Sequence, residues 1–278
     1  MTVQVTKKSF LEEPVEEELI RLLKFAPIQK IRDIILSNPS LDLHYPTNEL
    51  KTPLTITIDR GDPQILALLI EKIPTNLDST TTQPCGKSAL MHASYYSRNI
   101  EILEVLLKKG ADPEKKDLRG WNSLWYAVIG KRIENVIFLL NSGACIIDSK
   151  DEIGRTPLMI SVFMSTFDIF CLLLKLGANI NEEDNLGFTA VQLAILRRKR
   201  DCVITLMEKG IDFNKRTSRS KITIFELAEE LMSDILPAFG TEAFDDLFYH
   251  NKKPPRYLIR RPSSAPFTTL PILAFAPW

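Results

Sequence analysis

GRTPLMISV, residues Gly154 to Val162, reads as a turn followed by the opening of a helix. Its echoes decide the fold. GKSALMHAS stands at Gly86 to Ser94, GWNSLWYAV at Gly120 to Val128, and GFTAVQLAI at Gly187 to Ile195. The copies begin 34, 34 and 33 residues apart, and mostly polar positions differ between them. A fixed period of this length is the sequence mark of stacked repeats.

Working outward from Gly154, Pro157 suits the first turn of a helix, where its missing N–H costs nothing. Leu158, Ile160, Val162 and Phe163 give a short first helix, and Ile169 to Leu174 a second. Gly177 ends the second helix, since glycine accepts the left-handed backbone of a C-cap. Helices shorter than about 12–15 residues are marginal alone in water. Stacking like units buries both apolar faces in one continuous core. The apolar positions repeat because each unit must fit the one before it; the polar ones vary because they face outward.

The paired signatures, G-x-T-P-L and later L-L-x-x-G-A-D/N, resemble the ankyrin repeat. They are clearest in EVLLKKGADPEKKDLRG (Glu104 to Gly120) and CLLLKLGANINEEDNLG (Cys171 to Gly187). The resemblance covers roughly residues 15–240 and implies an all-α solenoid of helix-turn-helix units with short β-turn tips. Five units are expected at about 48–80, 81–117, 118–151, 152–184 and 185–217. A divergent N-terminal capping repeat precedes them at 15–47, behind a flexible N-terminus at 1–14. A C-terminal capping repeat and helix follow at 218–250, and a tail at 251–278. The histidine usual after Thr-Pro-Leu is replaced by Thr55, Met91, Trp125, Met159, Gln192 and Glu226. The glycine usual between the two helices survives only as Gly61, with Ser97, Lys131, Ser165 and Arg198 elsewhere. Extra residues near Ser97 and Ile147 add to the irregularity.

Catalytic constellations are not evident. The three histidines, His44, His92 and His250, fall in three different units. No HExxH, GxSxG, Walker loop, GxGxxG or clustered Cys/His spacing occurs. A non-catalytic protein with no cofactor and no metal is therefore expected. The opening stretch MTVQVTKKSFLEEPVEEE lacks the apolar run of a signal peptide, and no apolar run approaches a membrane span. The scattered cysteines, with Cys171 and Cys202 among apolar neighbours, suit reduced thiols in cytoplasm or nucleus. A monomer is expected.

In an ankyrin-like array, turn tips and the exposed edge of each first helix line a concave groove, the expected site for an unidentified client protein. Tip positions are Lys87, Trp121, Arg155 and Phe188. Helix-end positions are Tyr95–Tyr96, Ile129–Gly130, Phe163–Met164 and Leu196–Arg197. Large apolar groups at predicted exposed positions point to binding anchors. The competing reading is that Tyr95, Ile129 and Phe163 tuck against the next unit as core. The net charge of zero hides an asymmetry: Arg197 to Lys221 carries nine basic residues against three acidic ones. An aromatic middle and a basic C-terminal end would suit a segment with apolar anchors and acidic flanks. RRKR, Arg197 to Arg200, sits at a predicted helix junction, which favours a solvated loop over an import signal or a nucleic-acid patch. A nuclear factor using this basic end near nucleic acid is the alternative reading.

Two kinds of linear feature remain. Asn181 and Asn214 occupy the inter-unit turn place that is hydroxylated in some ankyrin proteins, although a turn asparagine bonding local backbone needs no such role. The proline-rich basic tail carries Pro254-Pro255-Arg256-Tyr257, which matches the PPxY ligand of WW domains. It also carries Ser264, with Arg261 three before it and Pro266 two after, which would resemble a 14-3-3 ligand once phosphorylated. The expected whole is an adaptor: the groove holds a client, and the tail recruits a WW or phosphoserine reader.

Overall fold

In a computed structural model the chain divides into two units, Met1–Met232 and Ser233–Trp278. The structure describes residues 15–38, 41–42, 51–72, 77–78, 86–211 and 223–231, all in the first unit. These residues form thirteen helices, with no strand among them. The opening pair is α1 (Val15–Phe25) and α2 (Ile28–Ser37). Next come α3 (Pro53–Arg60) with α4 (Pro63–Lys72), and α5 (Ala89–Tyr96) with α6 (Ile100–Lys108). Then follow α7 (Ser123–Ile129) with α8 (Ile133–Asn141), and α9 (Pro157–Phe163) with α10 (Phe167–Lys175). The last pair is α11 (Ala190–Leu196) with α12 (Arg200–Glu208), before α13 (Ile224–Leu231). Each range of the five expected units holds one pair.

The first helices start where a short polar side chain can accept an orphan backbone N–H. Thr52, Ser88, Asn122 and Thr156 each accept the N–H three residues on, at Thr55, Met91, Trp125 and Met159. The side chain three residues in often returns the bond. Thr55 Oγ1 accepts the Thr52 N–H at 2.9 Å, Gln192 Oε1 that of Thr189 at 2.9 Å, and Glu226 Oε2 that of Thr223 at 2.8 Å. These are three of the places where the family's histidine is missing, so different chemistry closes the same capping box. Trp125 cannot do this. Its indole N–H instead donates to Ser149 O at 3.1 Å, tying the helix to the turn that ends its own unit.

First helices pack in a row, α1–α3–α5–α7–α9–α11–α13, while second helices pack beside one another as α2–α4–α6–α8 and α10–α12. One register recurs inside each row. Leu54, Leu90, Leu124, Leu158 and Val191 are buried in the first helices; Leu69, Leu106, Leu139, Leu173 and Leu206 are fully buried in the second. Each such side chain contributes roughly 1.5–3 kcal/mol by leaving water. Polar staples then join neighbouring units. Arg60 Nη1 donates to Leu23 O at 3.0 Å, Arg132 Nε to Tyr95 O at 2.9 Å, and Asn135 Nδ2 to both Ser94 O and Ser97 O. They satisfy carbonyls at helix C-termini that have no partner within their own helix.

The tips are organised by aspartates. Asp117 Oδ1 accepts the N–H groups of Arg119 and Trp121, Asp151 Oδ1 those of Ile153 and Arg155, and Asp184 Oδ1 those of Leu186 and Phe188. Successive tips also bond to each other, Glu152 N to Arg119 O at 3.2 Å and Asn185 N to Ile153 O at 2.9 Å. The turn between paired helices needs a left-handed residue, which Lys131, Ser165 and Arg198 supply at φ 57, 56 and 53°. The extra residue near Ser97 removes that need. Ser97 is extended at φ −69°, and Asn99 caps α6 by accepting the Glu101 N–H at 3.0 Å. Cys202 and Cys145 are buried, and burial pushes their thiols up to about 11 and about 12; Cys171 is half-buried.

Candidate partner-binding face

The tips and the C-terminal ends of the first helices recur at one spacing, so their side chains form rows across units. Tyr96 is the most exposed aromatic of these rows at 44%, and Tyr95, Phe163, Met164 and Phe188 are half-buried. Arg197 is exposed. These six positions make a mixed aromatic and cationic surface on the first-helix side.

Three expected groove positions are not on that surface. Trp121, Ile129 and Arg155 are buried, at 7%, 3% and 8% exposure. Trp121 lies flat against Trp125, with ring centroids 5.9 Å apart and planes 10° from parallel, and its indole N–H faces Asp151 Oδ2 at 3.4 Å. Arg155 folds back onto the same carboxylate through Nε at 2.8 Å and Nη2 at 2.6 Å. Ile129 sits where α7 runs closest to α5: a Cβ added to Gly130 would stand 2.6 Å from Tyr95 O. Counting from the glycine gives each residue its unit and its row. It does not say whether a long side chain turns outward or lies along the next tip.

Cations lie on rings along this face. Lys87 Nζ is 4.9 Å from the Tyr126 ring centre and 5.5 Å from that of Tyr95. The Arg119 guanidinium lies 4.9 Å over Trp121, and that of Arg197 only 3.5 Å over Phe163. Such contacts contribute about 0.5–1 kcal/mol at exposed sites and fix where the charge sits. The Arg119 stack escapes a reading by residue class, because the arginine precedes its ring by two positions inside a turn.

A second cluster is likewise not evident from sequence motifs. His92 is buried, and its Nε2 lies 2.8 Å from Asp59 Oδ1, while Lys51 Nζ donates to Asp59 Oδ2 at 2.8 Å. Burial alone would raise the Asp59 carboxyl, but the bonds to His92 and Lys51 outweigh it and hold the pKa below its ordinary value. The His92 ring also packs on Tyr96, with centroids 4.6 Å apart. The signal that could have revealed this pair is the period itself: Asp59 and His92 are separated by 33 residues, one repeat. Beside them opens a cleft of about 410 Å³ between the ends of α3 and α5, walled by Arg60, Gly61, Tyr96 and Arg98.

Within the basic run, Arg197, Arg198 and Arg200 are exposed and Lys199 is half-buried, in the turn between α11 and α12. Asn181 is exposed in its inter-unit turn, its N–H donating to Asn179 Oδ1 at 3.0 Å. Asn214, Pro254, Pro255, Tyr257 and Ser264 lie outside the described residues. No helix among the described residues is long and apolar enough to cross a membrane.

Comparison with known proteins agrees with this architecture. The family model described as ankyrin repeats (3 copies) matches residues 28–117 and 124–217. The chain belongs to the ankyrin-repeat family, whose repeats mediate protein–protein interaction and are typically non-catalytic. The potassium channel AKT2/3 of Arabidopsis thaliana is 32% identical over 171 residues, 59% of this chain and 21% of the channel. The B-cell lymphoma 3 protein homolog of Mus musculus is 28% identical over 214 residues, 75% of this chain and 46% of that protein. A probable palmitoyltransferase, AKR2 of Saccharomyces uvarum, is 33% identical over 145 residues, covering 50% of this chain and 19% of the transferase. The chain therefore matches less than half the length of each of these relatives. Among solved structures, the ankyrin repeat domain of Bcl-3 superposes with a TM-score of 0.67 at 24% identity, covering 81% of this chain and 98% of that domain.

Proposed function

We propose that the protein is a non-catalytic adaptor that holds a client protein on its first-helix face. One observation carries this reading. Half-buried or exposed Tyr95, Tyr96, Phe163, Met164 and Phe188 recur at equivalent positions of successive units, on the side opposite the second helices. Aromatic groups with one face still in water are what a partner can bury, and such residues dominate interface energetics. The tail would supply the second hand: Pro254, Pro255 and Tyr257 for a WW domain, and Ser264 for a phosphoserine reader. Tethering of this kind raises the effective concentration of two partners without a chemical step.

Site-specific photo-crosslinking in cells tests it. A benzoylphenylalanine at Tyr96 and one at Met164 should trap the same protein, and one at Lys108, on the exposed side of α6, should not. Capture of a common protein only at Lys108 would place the working surface on the second helices instead. A chain ending at His250 should keep the groove client and lose WW or 14-3-3 proteins; unchanged recovery of both removes the tail from the mechanism.

A further inference from the structure

The geometry points to a more specific occupant for this face: a protein segment carrying two separated acidic residues with an apolar residue between them. This rests on the adaptor reading and adds to it the chemistry of the client.

The argument begins with Arg197 and Arg119. A guanidinium lying 3.5 Å over the Phe163 ring has one face covered and its N–H groups directed around the rim. Arg197 is nevertheless exposed, so part of that rim meets solvent. Arg119 repeats the arrangement over Trp121 and is also exposed. A planar fork held in place by a ring binds carboxylate bidentately, and less side-chain entropy remains to be lost on binding. The buried rings are thus platforms: Trp121, removed from the surface by burial, still shapes it by fixing the charge above.

Spacing then constrains the ligand. Arg119 lies at the tip leading to α7, and Arg197 at the end of α11, two helices further along the row. Helix separations of about 8–10 Å, with the offset along the helices, put the two forks roughly 20 Å apart. An extended chain covers that distance in about five or six residues. Between them lie Phe163 and Met164, half-buried and apolar, which suit a Leu or Phe of the same segment.

Charge separates this occupant from a polyanion. At the N-terminal end of the face Asp59 stands between Lys51 and His92, and near the tips Glu152 is exposed and Glu182 and Glu183 are half-buried. A continuous phosphate backbone would meet these carboxylates. Two discrete acidic residues opposite Arg119 and Arg197 would not.

Fluorescence anisotropy of the full chain with synthetic peptides decides the matter. The probe carries two Asp-Glu pairs separated by five residues with a central Leu-Phe; its partner peptide carries Asn-Gln pairs instead. The acidic peptide should bind at least tenfold more tightly than the amide peptide. R197A and R119A, both exposed and checked for an unchanged circular dichroism spectrum, should each lose about five- to tenfold. R197K should lose most of what R197A loses, because an ammonium keeps the charge but not the stacked fork. Equal binding of both peptides, no binding of the acidic one, or full activity of R197A overturns the inference. So does preferential, Arg197-dependent binding of single-stranded DNA or of phosphatidylserine vesicles. A client crosslinked at Tyr96 whose capture is indifferent to R197A and R119A would leave the adaptor reading standing and remove this one alone.

Discussion

Lys131, Ser165 and Arg198 hold φ values of 57, 56 and 53°, where the Cβ crowds the neighbouring carbonyl. Gly61 does the same work at 76° without that crowding. Glycine at Lys131 or Ser165 should therefore stabilise the fold by about 0.5–1 kcal/mol, the relief of strain being partly offset by glycine's greater freedom when unfolded. Urea midpoints of K131G and S165G read this, and a lowered midpoint would mean that the native side chain makes a compensating contact. Asp59 offers a test by pH. Burial acts to raise its pKa, but the bonds from His92 and Lys51 hold it below the ordinary value on balance. A carboxyl lowered in the folded state stabilises above its unfolded pKa, and that contribution is lost as pH falls through the folded value. D59N should thus cost stability at pH 7 and progressively less as pH drops below about 4. A gap between D59N and the parent that stays constant from pH 7 to pH 3 would contradict the assignment. At this scale the sequence is least legible. Trp121 reads as an exposed tip, and only the position of Asp151 one turn along explains why its indole lies down instead.

Turns and helices are more legible, because their requirements are local. Gly120 and Gly154 open their units for two reasons at once. Both have positive φ, and each faces the next tip so closely that a Cβ would meet backbone: Glu152 N at 2.7 Å from Gly120, and Asn185 N at 2.7 Å from Gly154. Gly143 shares the left-handed backbone at φ 68° but faces open space. The two contributions can therefore be separated. G143A should cost about 1 kcal/mol for conformation alone, and G120A about 3 kcal/mol, since the stacked tips must also part. Thermal melts of the two variants measure the difference; equal losses would mean that the tips yield without cost. Helix starts follow from Thr, Ser and Asn at the caps, and the second helices from their leucine register. The Ser97 insertion announces itself as an extra residue, but its consequence does not: the left-handed position vanishes and Asn99 becomes a cap.

Across the whole molecule, the repeat period makes the row of helices legible and leaves the coupling between units hidden. The leucine ladders are alike at every junction; the polar staples are not. Asn135 is the heaviest of these, buried at 1% exposure and donating from Nδ2 to Ser94 O at 3.1 Å and Ser97 O at 3.0 Å. It ties α8 to the C-terminal end of α5, at the junction where Ser97 departs from the repeat. N135A would strand two buried carbonyls, a cost of about 2–3 kcal/mol. In a stacked array, stability is a sum of unit terms and nearest-neighbour terms, so a loss confined to one junction need not spread evenly. N135A should therefore divide unfolding, with amides of α3 to α6 and of α7 to α12 exchanging hydrogen at different free energies where the parent chain shows one. N179A, at an exposed side chain bonded to Glu182, should shift neither group by more than about 0.5 kcal/mol. Hydrogen exchange read by mass spectrometry resolves the two sides peptide by peptide. If both sides lose protection together and equally in N135A, the array folds as one block, and the leucine ladders alone couple its units.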